Sequence, residues 1–144
     1  MDTQSIIPFS QLLEEFKSLN LPKNQYAIFG SGPLGVRGLR ECHDIDTIVT
    51  KQLFNDKKYG GEWKFYDGSR NGRQFQYLRR GNIELWKDWG PGEWDILNLI
   101  QQAEEIQGIK FVRLEEVLKW KQTNVREKDI VDIELIKEYL KFES

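Results

Sequence analysis

Apolar residues near the start of the chain recur every three or four positions. In "FSQLLEEFKSLN" residues Phe9, Leu12, Leu13, Phe16 and Leu19 fall on one side of a helix, with Ser10 as a cap and Pro22 in "LNLPKN" as the stop. The period then shortens. "QYAIFG" is a compact apolar run closed by Gly30, the pattern of an internal strand, while "PLGVRGLR" reads as a short helix or an irregular turn weakened by Gly35 and Gly38. "DIDTIV" alternates, with Asp44, Asp46 and Ile48 toward one face and Ile45, Thr47 and Val49 toward the other, and its β-branched content favours strand. "EWKFY", "RQFQYLR" and "NIELWK" share that character, and Gly81-Asn82 supplies a hairpin turn between the last two. After "DWGPGEW" helical spacing returns in "WDILNLIQQAEEI", then a short strand "IKFV", then helices in "RLEEVLKWKQ" and "EKDIVDIELIKEYLKF". In the last helix Ile130, Ile133, Leu135, Ile136, Tyr139 and Leu140 form a broad stripe suited to packing on the sheet. The expected fold is α/β (α+β): a small mixed or antiparallel sheet of about five strands with flanking helices.

A chain of 144 residues carries one core, so residues 1–144 are read as a single domain with a helical C-terminal part. With 21 basic and 23 acidic residues the net charge is −2, so no global field draws the chain to nucleic acid or an anionic membrane, and a polyanionic ligand must be held locally. Cys42 is the single cysteine; it excludes an internal disulfide and a cysteine-rich zinc site and fits a reducing cytoplasm. No stretch reaches the roughly 20 apolar residues of a membrane span, and "MDTQSIIPFS" does not read as a signal peptide. A soluble cytoplasmic protein is expected.

Two aspartates in a buried-looking strand need a reason. Residues i and i+2 share a face, so Asp44 and Asp46 project side by side with backbones roughly 6 to 7 Å apart. Like charges held close are relieved by a cation, and an all-oxygen donor set suits Mg²⁺ or Mn²⁺. Glu84, between Ile83 and Leu85, brings a third carboxylate if its strand is a neighbour, and two metals bridged by such a cluster perform nucleotidyl transfer. Gly30-Ser31-Gly32, between a strand and a short helix, offers backbone N–H groups to phosphate. Each feature also has a plain structural explanation: a polar strand mouth for the aspartates, a solvated hairpin for Glu84 and an ordinary turn for "GSG".

Gly30-Ser31 followed by Asp44-Ile45-Asp46 and a later carboxylate resembles the nucleotidyltransferase superfamily in its small minimal type. The segment from "GEWDILNL" to "ELIKEYL" looks like the tail of nucleotidyltransferase-like proteins, and the matching segments span most of residues 25 to 140. The resemblance implies a small mixed sheet with helices against it. It also implies Asp44, Asp46 and Glu84 as catalytic metal ligands, Gly30 and Ser31 at the nucleotide phosphates, and Lys121, Arg126 and Lys128 as further phosphate ligands. The implied activity is Mg²⁺-dependent transfer of a nucleoside monophosphate from an NTP to an acceptor hydroxyl of a small molecule, an RNA or a protein. The rival reading is a non-catalytic, antitoxin-like interaction module beside a toxin partner; a metal-dependent phosphohydrolase is a weaker third.

Several residues keep two readings. Arg37 and Arg40 either reach phosphates or form a solvated face or ion pairs. Asp129 and Asp132 are read as partners of nearby basic groups. Trp86, Trp89 and Trp94 line a base pocket or, more in keeping with aromatic residues, fill a core. Cys42 and His43 face opposite sides of a strand and have no second histidine, which argues against zinc.

Overall fold

The structure, a computed structural model, describes residues 7–70, 72–123 and 125–143. Among them the strands are β1 (Tyr26–Phe29), β2 (Ile45–Val49), β3 (Lys64–Arg70), β4 (Arg73–Arg80), β5 (Ile83–Trp86), β6 (Glu104–Ile106) and β7 (Ile109–Phe111). The helices are α1 (Phe9–Ser18), α2 (Gly32–Gly35), α3 (Lys51–Tyr59), α4 (Ile96–Gln102), α5 (Leu114–Thr123) and α6 (Glu127–Glu143). The strands form one sheet in the order β3-β4-β5-β2-β1-β7-β6. β2 runs parallel to β5 and β1 parallel to β7, while the other neighbours are antiparallel. The mixed α/β architecture with flanking helices is thus present, with seven strands among the described residues where about five were expected.

The sheet is sandwiched between helical layers because its central strands are apolar on both sides. Tyr26 and Ile28 of β1 join Ile45, Val49, Leu78 and Leu85 on one face, where α1 contributes Leu12, Leu13 and Phe16 and α3 contributes Leu53 and Phe54. Ala27, Phe29 and Ile48 face the other way, against Leu99 and Ile100 of α4, Val117 of α5 and Ile136 of α6. Burial of each such Leu, Ile or Phe side chain is worth about 1.5–3 kcal/mol, so β1 and β2 are fixed in the middle of the molecule.

Four details depart from the sequence reading. Pro8, not Ser10, stands at the N-terminal boundary of α1, with no side-chain cap, and Ser10 lies inside the helix. α3 is capped by Thr50, whose Oγ1 accepts the Leu53 N–H at 3.2 Å; its mostly polar sequence hid it. The helix begun at Ile96 stops at Gln102, and Glu104–Ile106 turns back on β7 through Gln107 and Gly108, both at positive φ (53° and 82°), as a two-residue hairpin requires. Finally, α6 packs chiefly against α5; Ile133 and Ile136 are buried, but Ile130 is 54% exposed and outside the packed stripe.

Candidate functional site

β2 and β5 pair in parallel with Asp46 opposite Glu84, and β1 pairs with β2 so that Phe29 lies opposite Asp46. Asp46, Glu84 and Phe29 therefore share one face of the sheet, and the chain turns just after Phe29 to bring the next residue against Asp46. That residue is Gly30 at φ 63°, and a Cβ built there would lie 2.9 Å from Asp46 Oδ2. Glycine is required twice over, by the left-handed backbone and by the carboxylate pressed against it.

The Asp46 carboxyl is pushed up to about 7: burial is the largest cause, followed by the charge of Glu84, a hydrogen bond shared with Glu84, and the charge of Asp44, with Arg79 opposing. Glu84 is held from two sides. Trp86 Nε1 donates to its Oε1 at 3.1 Å, and Arg79 Nη1 donates to its Oε2. The other arm of Arg79 donates to Asp44 Oδ1 at 3.4 Å. Asp44 lies one residue before β2 with its side chain 54% exposed, so it is drawn toward Arg79 and does not complete a three-carboxylate convergence. Among the described residues no group of three or more His, Cys, Asp or Glu side chains has metal-holding geometry. The adjacent Asp46 and Glu84 nonetheless fit Mg²⁺, which takes one or two carboxylates and completes its shell with water and substrate phosphate.

Sequence reasoning missed Arg79, although the signal was present. A two-residue turn at Gly81-Asn82 pairs Arg80 with Ile83 and therefore Arg79 with Glu84, as observed.

A cleft of about 920 Å³ opens over this pair. Gly30, Ser31, Asp46 and Glu84 line it together with Arg40, Lys121, Arg126 and Lys128, so the carboxylate pair, the turn and the basic residues read from the sequence share one cavity. Asp44, Arg37 and Trp94 are not among its lining residues. Ser31 opens α2 without a side-chain capping bond. Trp86, Trp89 and Trp120 line the cleft as well. Trp89 also stacks on Phe29 at 4.8 Å and is 9% exposed, so it serves the core and the cleft together; Trp94 packs edge-on against Phe29 at 5.9 Å.

The cations are not equivalent. Lys121, 5% exposed, places Nζ 3.0 Å from Asp132 and 3.4 Å from Asp129. Arg126 Nε lies 2.9 Å from Asp129 Oδ2, and Arg40 Nη1 lies 2.6 Å from Asp132 Oδ2. Asp129 and Asp132 thus pair with basic neighbours, as the sequence suggested. Burial pushes the Asp129 carboxyl up, but hydrogen bonds from the Arg126 side chain and backbone, with the charges of Lys121 and Arg126, outweigh it and hold the carboxyl below its ordinary value. Lys128 is exposed at the cleft. Arg37 is occupied by Glu104 and by the Pro33 carbonyl. Burial raises the Cys42 thiol to about 11, which makes it an inert core group.

No protein-family model matches the chain, and no curated protein matches it. Among solved structures the chain is similar to an antigenic nucleotidyltransferase-like protein from Paracoccidioides brasiliensis, at 20% identity and a TM-score of 0.36, over 88% of this chain and 72% of that one.

Proposed function

We propose that this chain is a nucleotidyltransferase that binds an NTP with Mg²⁺ and moves the nucleoside monophosphate to an acceptor hydroxyl. The observation that carries the reading is the two-signed cleft: Asp46 and Glu84 face a space that Arg40, Lys121, Arg126 and Lys128 also line. A triphosphate bearing a hard divalent cation is complementary to such a space, its metal toward the carboxylates and its phosphate oxygens toward the cations. Asp46 and Glu84 would hold the ion, and Asp44 would join them as a third donor only once freed from Arg79. Ser31 and the turn beside it, with Lys121, Arg126 and Lys128, orient the triphosphate tail. When bound, the metal supplies charge neutralisation at the reacting phosphate and polarises the acceptor oxygen. The acceptor oxygen forms a bond to the α-phosphorus as the bond to the bridging oxygen breaks, pyrophosphate leaves, and the hydroxyl proton passes to water. Incubation with α-labelled NTPs and total RNA, small metabolites or the protein itself tests this. Label transfer that is lost in Asp46→Asn is expected; binding without transfer to any acceptor class, at wild-type levels in Asp46→Asn, would sink it.

A second reading, a non-catalytic interaction module of the antitoxin type, draws support from Arg79, which already neutralises Glu84 and Asp44. A stable complex with a second protein, indifferent to Mg-NTP and accompanied by no turnover, would favour it.

A further inference from the structure

Given Asp46 and Glu84 as the metal-holding pair proposed above, we infer that Arg79 is a positioning residue that makes metal binding conditional on a triphosphate. Arg79, Glu84 and Asp46 stand in a row across three neighbouring strands, Arg79 opposite Glu84 on β4 and β5, and Glu84 opposite Asp46 on β5 and β2. The guanidinium bridges two carboxylates, one arm on Glu84 and the other on Asp44. It stands in the place of a cation: it satisfies a Glu84 oxygen that a metal would use, and it engages an Asp44 oxygen.

A free divalent ion entering this site meets a fixed positive charge and must compete for Glu84. A metal carried by a triphosphate meets a different balance. Phosphate oxygens offer the guanidinium an alternative forked acceptor of higher charge, which releases Glu84 and Asp44 to the metal. Arg79 does not itself line the cleft, but Glu84, to which it donates, does, as does Tyr77 two residues before it on the same face of β4. Metal without nucleotide is thereby disfavoured, and the complete substrate assembles the site.

The test is calorimetric titration of the folded full chain, wild type, Arg79→Gln and Arg79→Lys, with Mn²⁺ alone and with Mn²⁺ plus α,β-methylene-ATP. Arg79→Gln is expected to bind Mn²⁺ alone about tenfold more tightly than wild type, since it removes a charged hydrogen-bonded competitor, and the metal-nucleotide complex less tightly, since it removes the guanidinium that would bind phosphate. Arg79→Lys keeps the charge but cannot bridge both carboxylates, so its affinity for Mn²⁺ alone falls between the two. Should Arg79→Gln fail to fold, equality of wild type and Arg79→Lys for Mn²⁺ alone overturns the inference. Equal Mn²⁺ affinity in wild type and Arg79→Gln, with the wild type still binding the nucleotide complex, overturns it and leaves the transferase reading standing. Failure of the wild type to bind Mn²⁺ with or without the nucleotide removes both.

Discussion

Two charged groups line the same cleft and solve the problem of burial in opposite ways. Lys121, Asp129 and Asp132 are each 5% exposed or less, yet every charge meets its opposite, and Asp129 is held below its ordinary pKa. Asp46 sits beside Glu84, a like charge, and retains its proton up to about pH 7. The first group is a strut between α5 and α6. The second stores repulsion at a position where the fold could have placed another isoleucine, as it does two residues on at Ile48. A partly buried pair of carboxylates, only one of which meets an arginine, is an arrangement that a cation would relieve.

The largest effect expected from breaking this contrast is on the strut. Lys121→Met leaves Asp129 and Asp132 buried with part of their compensation gone, and breaking a buried pair from one side costs about 3–5 kcal/mol. Chemical denaturation at pH 7 measures it. A loss below about 1 kcal/mol would mean that Arg40 and Arg126 suffice to compensate the two aspartates without Lys121.

The second effect separates the two groups by pH. A carboxyl whose folded pKa is raised binds its proton more tightly in the native state, so wild-type stability falls as pH rises from about 4 to about 7 on account of Asp46. Asp129, held low, acts in the other sense: its contribution is present above the ordinary carboxylate pKa and is lost as pH falls below about 4. Asp46→Asn should remove the first slope and gain about 1–4 kcal/mol over wild type at pH 8, while leaving the acid limb untouched. Denaturation midpoints from pH 3 to 8 decide it; identical profiles for the two proteins would show that Asp46 is not strained.

The acidic pair was the more legible of the two. Alternation in "DIDTIV" and "NIELW" placed Asp46 and Glu84 on strand faces, and parallel pairing of those strands made them neighbours. The tie between Asp44 and Arg79, 35 residues away, was not legible, because the hairpin register pairs Arg79 with Glu84 and only the folded chain brings its other arm to Asp44. The strut was legible in part: Asp129 and Arg126 are three residues apart, whereas Lys121 reaches them from another helix. Among the elements, β1, β2, β4 and β5 announced themselves through apolar runs or alternation. β6 did not, because "AEEI" extends the helical period of α4 and its turn uses Gln107, an uncommon residue at positive φ. α3 was hidden because only Leu53 and Phe54 of its nine residues are buried.

The smallest expected effect lies between the two groups, at Ser31. Its turn is held against Asp46 by Gly30, yet as a phosphate contact it must accept an anion beside that carboxylate. Ser31→Ala removes one neutral hydroxyl and should weaken Mg-ATP binding by about 0.5–1.5 kcal/mol, a two- to tenfold change in Kd, with little effect on melting. Ser31→Asp adds a charge to the crowded side of the cleft, repels phosphate directly, and should abolish measurable nucleotide binding. Gly30→Ala is the control for a turn that matters only to the fold: its Cβ would meet Asp46 Oδ2 at 2.9 Å, so it lowers the melting temperature. If Ser31→Asp binds Mg-ATP as wild type does while Gly30→Ala melts early, the turn serves only to seat Asp46, and the triphosphate must be held by the basic side of the cleft alone.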